Sequence, residues 1–499
     1  MELKFEKKPL QYLRPFFNQL HTQEQTQEIR LPDSYPDIGK VLRCWGQVLM
    51  RGKEWRSTSM GANGGVMVWV LYAPEDGTQP RVVEAWLPTQ CRWDFPENAD
   101  DGIMLISPII SSLDCRGISA RKLMIRVGLD TFGQAMRKET AELAQPADVP
   151  EDVQLLSHSY PIELPVEAGE KQVQQEEYLD FDDKLPPISK IVSYQMMPMI
   201  QEQKVLGDRL VFRGQNQLHM VYMTEEGEIH SWEAEVPFSQ YTELDGDYGP
   251  SVTAWILPIL TAAELEMTED KQLRMRAGIA AQYAVFDQTM LAVVEDAYSP
   301  YREVVPTVVE VPLPVLLDSS IKQLQMSATI KNRAEKIFDT SVFSEYPKQF
   351  TTDDGMAIQT NGQFQLLYQD AEEQMTTDSA RLDGKVQIES APDNLICLWP
   401  GCSGKTDVIQ NGESVNIAAD VPITVQIYSG HVIPMITELE LGQQRPADDT
   451  RPSIILRRAG ENTLWEIAKS YGSTVAAIQE ANHLEGEPDS VQMLLIPIS

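Results

Sequence analysis

Along the first nine-tenths of the chain the apolar positions recur with a period of two. Leu218, Met220 and Tyr222 point to one side of an extended strand and His219, Val221 and Met223 to the other. Glu225-Glu226-Gly227 follows as a turn, and Ile229 to Pro237 returns as the second strand of a hairpin. Arg121 to Leu129 alternates in part. Helical spacing is scarce before Ser453 and plain after it: Leu464, Ile467, Ala468 and Tyr471 lie at i, i+3, i+4 and i+7 and form one apolar face. The pattern predicts a mostly β protein, with tandem antiparallel β domains (sandwich or open barrel) followed by a small βααβ unit.

Laid on itself, the sequence repeats at an offset of about 150 residues. Pro36 to Leu42 falls on Pro186 to Val192, Trp69 to Tyr72 on His219 to Tyr222, Pro108-Ile109-Ile110 on Pro258-Ile259-Leu260, and Arg121 to Leu129 on Lys271 to Ile279. A third, worn copy follows, with Asn361 to Tyr368 standing where Arg213 to Tyr222 stands in the second. The expected organisation is repeat 1 over 20–145, repeat 2 over 155–300, a divergent repeat 3 over 305–442, a linker over 443–452 and a terminal domain over 453–499. Pro- and Glu-rich stretches at Leu143 to Glu151, Glu167 to Asp183 and Tyr298 to Pro314 read as extended tethers. So does the polar spacer Gly442 to Pro452.

In the terminal unit, Ser453 to Arg458 is a strand candidate and Thr463-Leu464-Trp465-Glu466 is a capping box that opens a helix. Gly472 supplies the left-handed stop, Ser473 or Thr474 caps a second helix, and Met493 to Ile498 returns as a strand. Gly460, Thr463 to Ala468, Tyr471-Gly472, Thr474-Val475, Ile478, Asn482 and Leu495-Ile496-Pro497 together resemble the LysM domain. That resemblance implies binding of N-acetylglucosamine polymers, chiefly peptidoglycan, in a shallow groove. By position, Gly460, Glu461, Asn462, Thr463 and Leu464 would form one wall, and Leu484, Glu485, Ser490, Val491 and Gln492 the other. Two positions depart from the family pattern. The loop before Thr463 is one residue longer than usual, and Val491 stands where a groove glycine is common and would obstruct close approach of a ligand to the backbone. Both departures favour protein docking over glycan binding.

The motifs Pro186-x-Ile188-x-Lys190-Ile191, Glu233 to Ser239 and Arg274 to Ile279, preceded by Tyr160 to Val166, resemble the SPOCS domain of clostridial spore proteins. SPOCS repeats ending in a LysM domain imply a scaffold in the mother-cell cytosol at the forespore surface. Its implied partner is the spore coat morphogenetic ATPase or another coat protein, with peptidoglycan as a further ligand.

Charge narrows the alternatives. Of 499 residues, 41 are Lys or Arg and 74 Asp or Glu, a formal net charge of −33 that opposes docking on nucleic acid or anionic lipid. The sequence shows no membrane-length apolar run and no signal-peptide stretch, so neither membrane insertion nor export is expected, and the location implied is cytoplasmic. Five cysteines spread over the chain predict reduced, mostly buried thiols. No phosphate loop, His-Glu-x-x-His motif or nucleophile elbow is present, so no enzyme, cofactor or metal is expected. Cys397 and Cys402 make a poor zinc pair, Asp245 to Gly249 reads as a turn rather than a calcium loop, and His219 and His230 are placed across a hairpin from each other. Two competing functions remain: a cell-wall glycan-binding protein acting through the LysM groove, and an adaptor of a phage tail or contractile injection machine.

Overall fold

The computed structural model describes residues 2–182, 184–331, 334–352, 355–401, 406–411, 413–430, 432–444 and 452–498. After a short β1 (Glu2–Lys4), the first repeat comprises β2 (Glu6–Arg30), β3 (Ile38–Arg56), β4 (Ser59–Pro74), β5 (Arg81–Asp94), β6 (Ile103–Ser119) and β7 (Lys122–Gln145). The order β2-β7-β6 makes one antiparallel sheet and β3-β4-β5 the other. The second repeat has β8 (Gln154–Leu179), β9 (Lys190–Met223), β10 (Ile229–Tyr248), β11 (Thr253–Met267) and β12 (Leu273–Tyr298), in sheets β11-β12-β8 and β10-β9. Here the long β9 stands for both β3 and β4.

The third repeat follows the same plan with breaks. Its opening strand is split into β13 (Arg302–Pro312) and β14 (Val315–Ile330), and next come β15 (Lys336–Ser344), β16 (Lys348–Thr352), β17 (Gly355–Gln369), β18 (Met375–Ile388), β19 (Leu395–Pro400) and β20 (Thr406–Asn411). Its closing strand is split into β21 (Ser414–Ser429) and β22 (Val432–Gln444). β14-β21-β19 form one sheet, with β20 also on β21, and β15 and β18 flank β17 in the other. The terminal unit is β23 (Ile454–Arg458), α1 (Leu464–Tyr471), α2 (Val475–Asn482) and β24 (Met493–Pro497).

Register shows how closely the copies correspond. The opening strand of each repeat carries one unpaired extra residue at the same place, Phe16, Val166 and Leu317. The turn after the central strand is closed by Gly77 N–H to Pro74 C=O at 3.3 Å, Gly227 to Thr224 at 3.1 Å and Glu373 to Asp370 at 3.1 Å. All three closing residues have positive φ, at 73°, 87° and 58°. The third copy therefore holds a glutamate in a conformation that favours glycine.

Alternation along the central strands serves two cores. Leu218, Met220 and Tyr222 fill the interior of the second repeat. Val221 and Met223 point the other way and meet residues of both other repeats, in a cluster that contains Leu42, Leu71, Val192, Phe338 and Leu367. Matching positions from the three copies, such as Leu71, Val221 and Leu367, thus converge on one axis. A second such meeting place joins Leu143, Leu291, Leu164 and Met435 at the far ends of the long strands. There Leu3 of β1 pairs with Leu439 of β22, so the first strand is stitched to the last strand of the repeats.

A buried polar group lies beside the first of these clusters. Asp339 on β15 accepts from Trp45 Nε1 (2.7 Å), pairs with His219 Nε2 (2.7 Å) and lies 3.3 Å from Arg43 Nη2. Each repeat contributes a member. The register places Arg43 opposite Leu71 and Asp339 opposite Leu367, so arginine and aspartate occupy matching positions of copies one and three. Arg43 also donates to Ser341 Oγ (2.7 Å), while its Nε and Nη1 find no partner. Burial opposes the charge on His219, but its bonds to Asp339 and Glu233 prevail and raise its pKa from 6.5 to about 9. Burial likewise opposes ionisation of Asp339. The His219 hydrogen bond and the Arg43 charge overcome it and hold the carboxyl below its ordinary range.

Several expectations are corrected. The stretches read as tethers at Glu167 to Asp183 and Tyr298 to Pro314 are largely strand, in β8 and β13, because Val173 packs into the interior of the second repeat and Val304, Val311 and Leu313 into the cluster at the far ends of the long strands. Leu143 to Gln145 belongs to β7, and Gln443 and Gln444 of the expected linker belong to β22; residues 445–451 lie outside the described residues. β2 starts at Glu6, well ahead of the expected boundary at residue 20. His219 faces Glu233, and His230 faces Tyr222, so the two histidines are not opposite each other. Asp245 to Tyr248 is neither turn nor calcium loop but strand, where the N–H groups of Asp245 and Gly246 and the Tyr248 hydroxyl all donate to Glu167. Cys402 lies outside the described residues; Cys44, Cys91 and Cys397 are buried and Cys115 half-buried, all as free thiols.

Asp339→Asn leaves the buried Arg43 without its counter-charge and is expected to lower stability by about 3 to 5 kcal/mol in urea unfolding. Because the folded pKa of His219 lies above its unfolded value, its contribution is fully present below about pH 6.5 and lost as pH rises through about 9. The thermal midpoint should fall across that window, and His219→Gln should flatten the fall. Glu373→Gly, which matches the turn to its two counterparts, should raise stability by about 1 kcal/mol.

Candidate docking site

The terminal unit builds itself from local signals. Thr463 accepts from Glu466 N–H (3.2 Å) while the Glu466 carboxylate accepts from Thr463 N–H (3.0 Å), which closes the capping box. The Thr463 N–H and the Asn462 amide, both donating to the carboxylate, hold the Glu466 pKa below its ordinary value. Gly472 ends α1 with φ 66°, and Thr474 rather than Ser473 caps α2 by accepting from Ala477 N–H (3.1 Å). Leu464, Ile467, Ala468, Ile478, Leu494 and Ile496 form the core together with Ala459 and with Tyr298 of β12.

The two expected groove walls come together. Gly460 N–H donates to Ser490 C=O (3.0 Å) and Ala459 N–H to Gln492 C=O (2.8 Å). Gly460 has φ 69°, and Glu461, Asn462 and Thr463 are exposed around it. Opposite them, Glu485, Ser490 and Val491 are exposed, while Leu484 and Gln492 are half-buried and Leu484 packs on the core. Leu464 serves the core with its side chain and the groove only with its backbone. Its N–H donates to Glu487 (2.8 Å), a residue of the second loop that the sequence pattern did not single out. That carboxylate bridges the walls and takes up the first free donor of α1.

Trp465 is half-buried, packs against the edge of the core and lies outside the groove. Its ring meets Tyr298 edge-on at 4.8 Å and its Nε1 donates to Asp296 Oδ2 (2.8 Å). Lys469 Nζ reaches both oxygens of Asp296 at 2.7 Å, and the Tyr298 hydroxyl donates to Ser473 C=O (2.9 Å). Asp296 and Tyr298 lie at the end of β12, so the unit is clamped to the second repeat through one face of α1. Burial, helped by the Asp296 charge, pushes the Tyr298 phenol up to about 12, so it stays a donor. Nothing in the sequence around Asp296 signals this contact, because a docking face on a strand end has no period of its own.

Residues 187–256, which span β9, β10 and the first residues of β11, match the family model described as SipL, SPOCS domain. Residues 458–497 match the LysM domain model. The chain thus carries a SPOCS domain within its second repeat and a C-terminal LysM domain. No curated protein and no solved structure matches the chain.

Trp465→Ala removes the ring pair and the indole bond to Asp296 but none of the fully buried residues that the LysM domain itself contributes to its core. The domain should stay folded and come loose from the repeats. In limited proteolysis the 443–452 connection should be cut at least several-fold faster than in the unaltered chain, with the released domain resistant.

Proposed function

We propose that the chain is a non-catalytic scaffold of spore-envelope assembly, working in the mother-cell cytosol at the forespore surface. The three β repeats form the platform, and the LysM domain docks the platform on a coat protein, with the coat morphogenetic ATPase as the expected partner. The pairing of a SPOCS segment with a LysM domain supports the spore-related part of this reading. The docking part rests on one observation above all: the clamp of Asp296 and Tyr298 on Trp465, Lys469 and Ser473. A domain held this way presents its loops in a fixed direction, which reduces the ordering cost of binding a large partner.

Two features weigh against glycan as the main ligand of the groove formed by Gly460 to Leu464 and Leu484 to Gln492. The Glu487 carboxylate occupies the Leu464 N–H, and Val491 projects beside the loop. One shallow groove also offers few contacts, and millimolar affinity corresponds to only about −4 kcal/mol.

A fluorescent fusion in a sporulating host should form a ring around the forespore, and removal of residues 453–499 should disperse it. Diffuse signal from the intact fusion would sink the scaffold assignment. With purified peptidoglycan, the intact and truncated chains should stay in the supernatant alike. Pelleting that depends on 453–499 would favour the glycan-binding alternative instead.

A further inference from the structure

The sheet of the LysM domain has one closed edge and one open edge. Ile498 N–H donates to Ser453 C=O (3.0 Å) and Ala459 N–H to Gln492 C=O (2.8 Å), so the bonded pairs fall on odd-numbered positions of β23. The N–H and C=O groups of Ile454, Leu456 and Arg458 therefore point away from β24. On the far side, the Asn482 amide donates to Leu495 C=O (2.6 Å) and accepts from Leu495 N–H (2.7 Å), which seals the outer edge of β24. No described strand pairs with the outer edge of β23.

The face beside that open edge is apolar where a small exposed sheet would ordinarily be polar. Ile454 and Leu456 pair across the sheet with Pro497 and Leu495, and Arg458 with Met493. Ile454, Leu456, Met493, Leu495 and the neighbouring Val491 are each between 42 and 66% exposed. Edge strands are usually protected by charge, proline or a covering element, and Ile454 and Leu456 offer none of these. Both also lie ahead of residue 458, where the family match begins, so they are features of this chain rather than of the matched pattern.

Charge indicates what fits. Arg457 bonds to the Tyr471 hydroxyl (3.2 Å) and Asn462 Oδ1 (3.1 Å), and Arg458 to Ser490 C=O (3.2 Å). In a chain with 74 acidic residues against 41 basic ones, neither arginine meets a carboxylate among the described residues. A second copy of the chain would bring another −33 of net charge to the site, which opposes pairing between copies.

We propose that the open edge of β23 receives an extended segment of a protein partner as a third strand. That segment carries apolar residues at alternate positions over Ile454 and Leu456 and a carboxylate opposite Arg458. The inference rests on the docking role proposed above and assigns it a surface distinct from the groove. Main-chain pairing supplies the affinity of such an added strand, and the alternate side chains supply its selectivity.

The test uses the full chain and a labelled peptide, Thr-Glu-Thr-Val-Thr-Val-Thr, read by fluorescence anisotropy and by hydrogen exchange of the 453–459 segment. Millimolar peptide should slow exchange in that segment, where the outward amides are otherwise unprotected. Leu456→Lys should weaken binding at least tenfold without changing the thermal midpoint. N-methylation of the two peptide valines should do the same. Replacing the peptide glutamate with lysine should weaken binding to the unaltered chain, and Arg458→Ala should remove that preference. Undiminished binding of the N-methylated peptide, or no protection at 453–459, would overturn strand addition. So would dimerisation in sedimentation that Leu456→Lys abolishes, which would assign the edge to a second copy. If protection is absent but the forespore ring still depends on 453–499, strand addition fails and the scaffold reading stands; if the ring never forms, the scaffold reading fails.

Discussion

The central strands of all three repeats are apolar on both faces, and this constraint governs the rest of the architecture. A strand such as Leu218 to Met223 fills its own sandwich with one set of side chains and leaves Val221 and Met223 uncovered. At roughly 25 cal/mol per Å² of apolar surface, a second exposed face on every repeat would be costly. Joining three copies around an axis removes all of these faces at once. The long strands then continue past their sandwiches into a shared lower core, where β1 closes the ring by pairing with β22.

An apolar axis specifies contact but is weak in fixing which copy lies where. The buried group of Arg43, Trp45, His219 and Asp339 supplies that distinction, since arginine and aspartate stand at matching positions and only one arrangement brings them together. The cost is visible in two Arg43 donors without partners. A charged group of this kind gains little net stability over an apolar substitute, and its value here lies in orientation.

The same logic extends to the LysM domain. Its core is built largely from its own residues and completed by Tyr298 at the end of β12, which with Asp296 also sets its position through a few polar and aromatic contacts. The fixed placement leaves the two loop walls and the open β23 edge presented together, on a body whose negative charge discourages self-association. Both candidate docking surfaces thus depend on a contact between domains that are far apart in sequence.

Much of this was legible in the chain. Period-two alternation, the acidic turns, the offset copies and the capping box are local signals, and local geometry obeys them whatever the surroundings. That the loops before α1 and after α2 lie side by side was also readable, because their spacing follows from two short helices. What the sequence left open are the contacts whose partners lie in another copy. The second face of Val221, the pairing of Arg43 with Asp339, and the seat of Trp465 on Tyr298 have no periodicity to announce them. Strand-forming stretches with scattered proline and glutamate read as tethers for a related reason, since their few apolar residues find neighbours far off in sequence, within the second repeat for Val173 and across repeats for Val304, Val311 and Leu313. Local pattern determined the elements; burial shared among distant copies decided how they were assembled and which surfaces remained free.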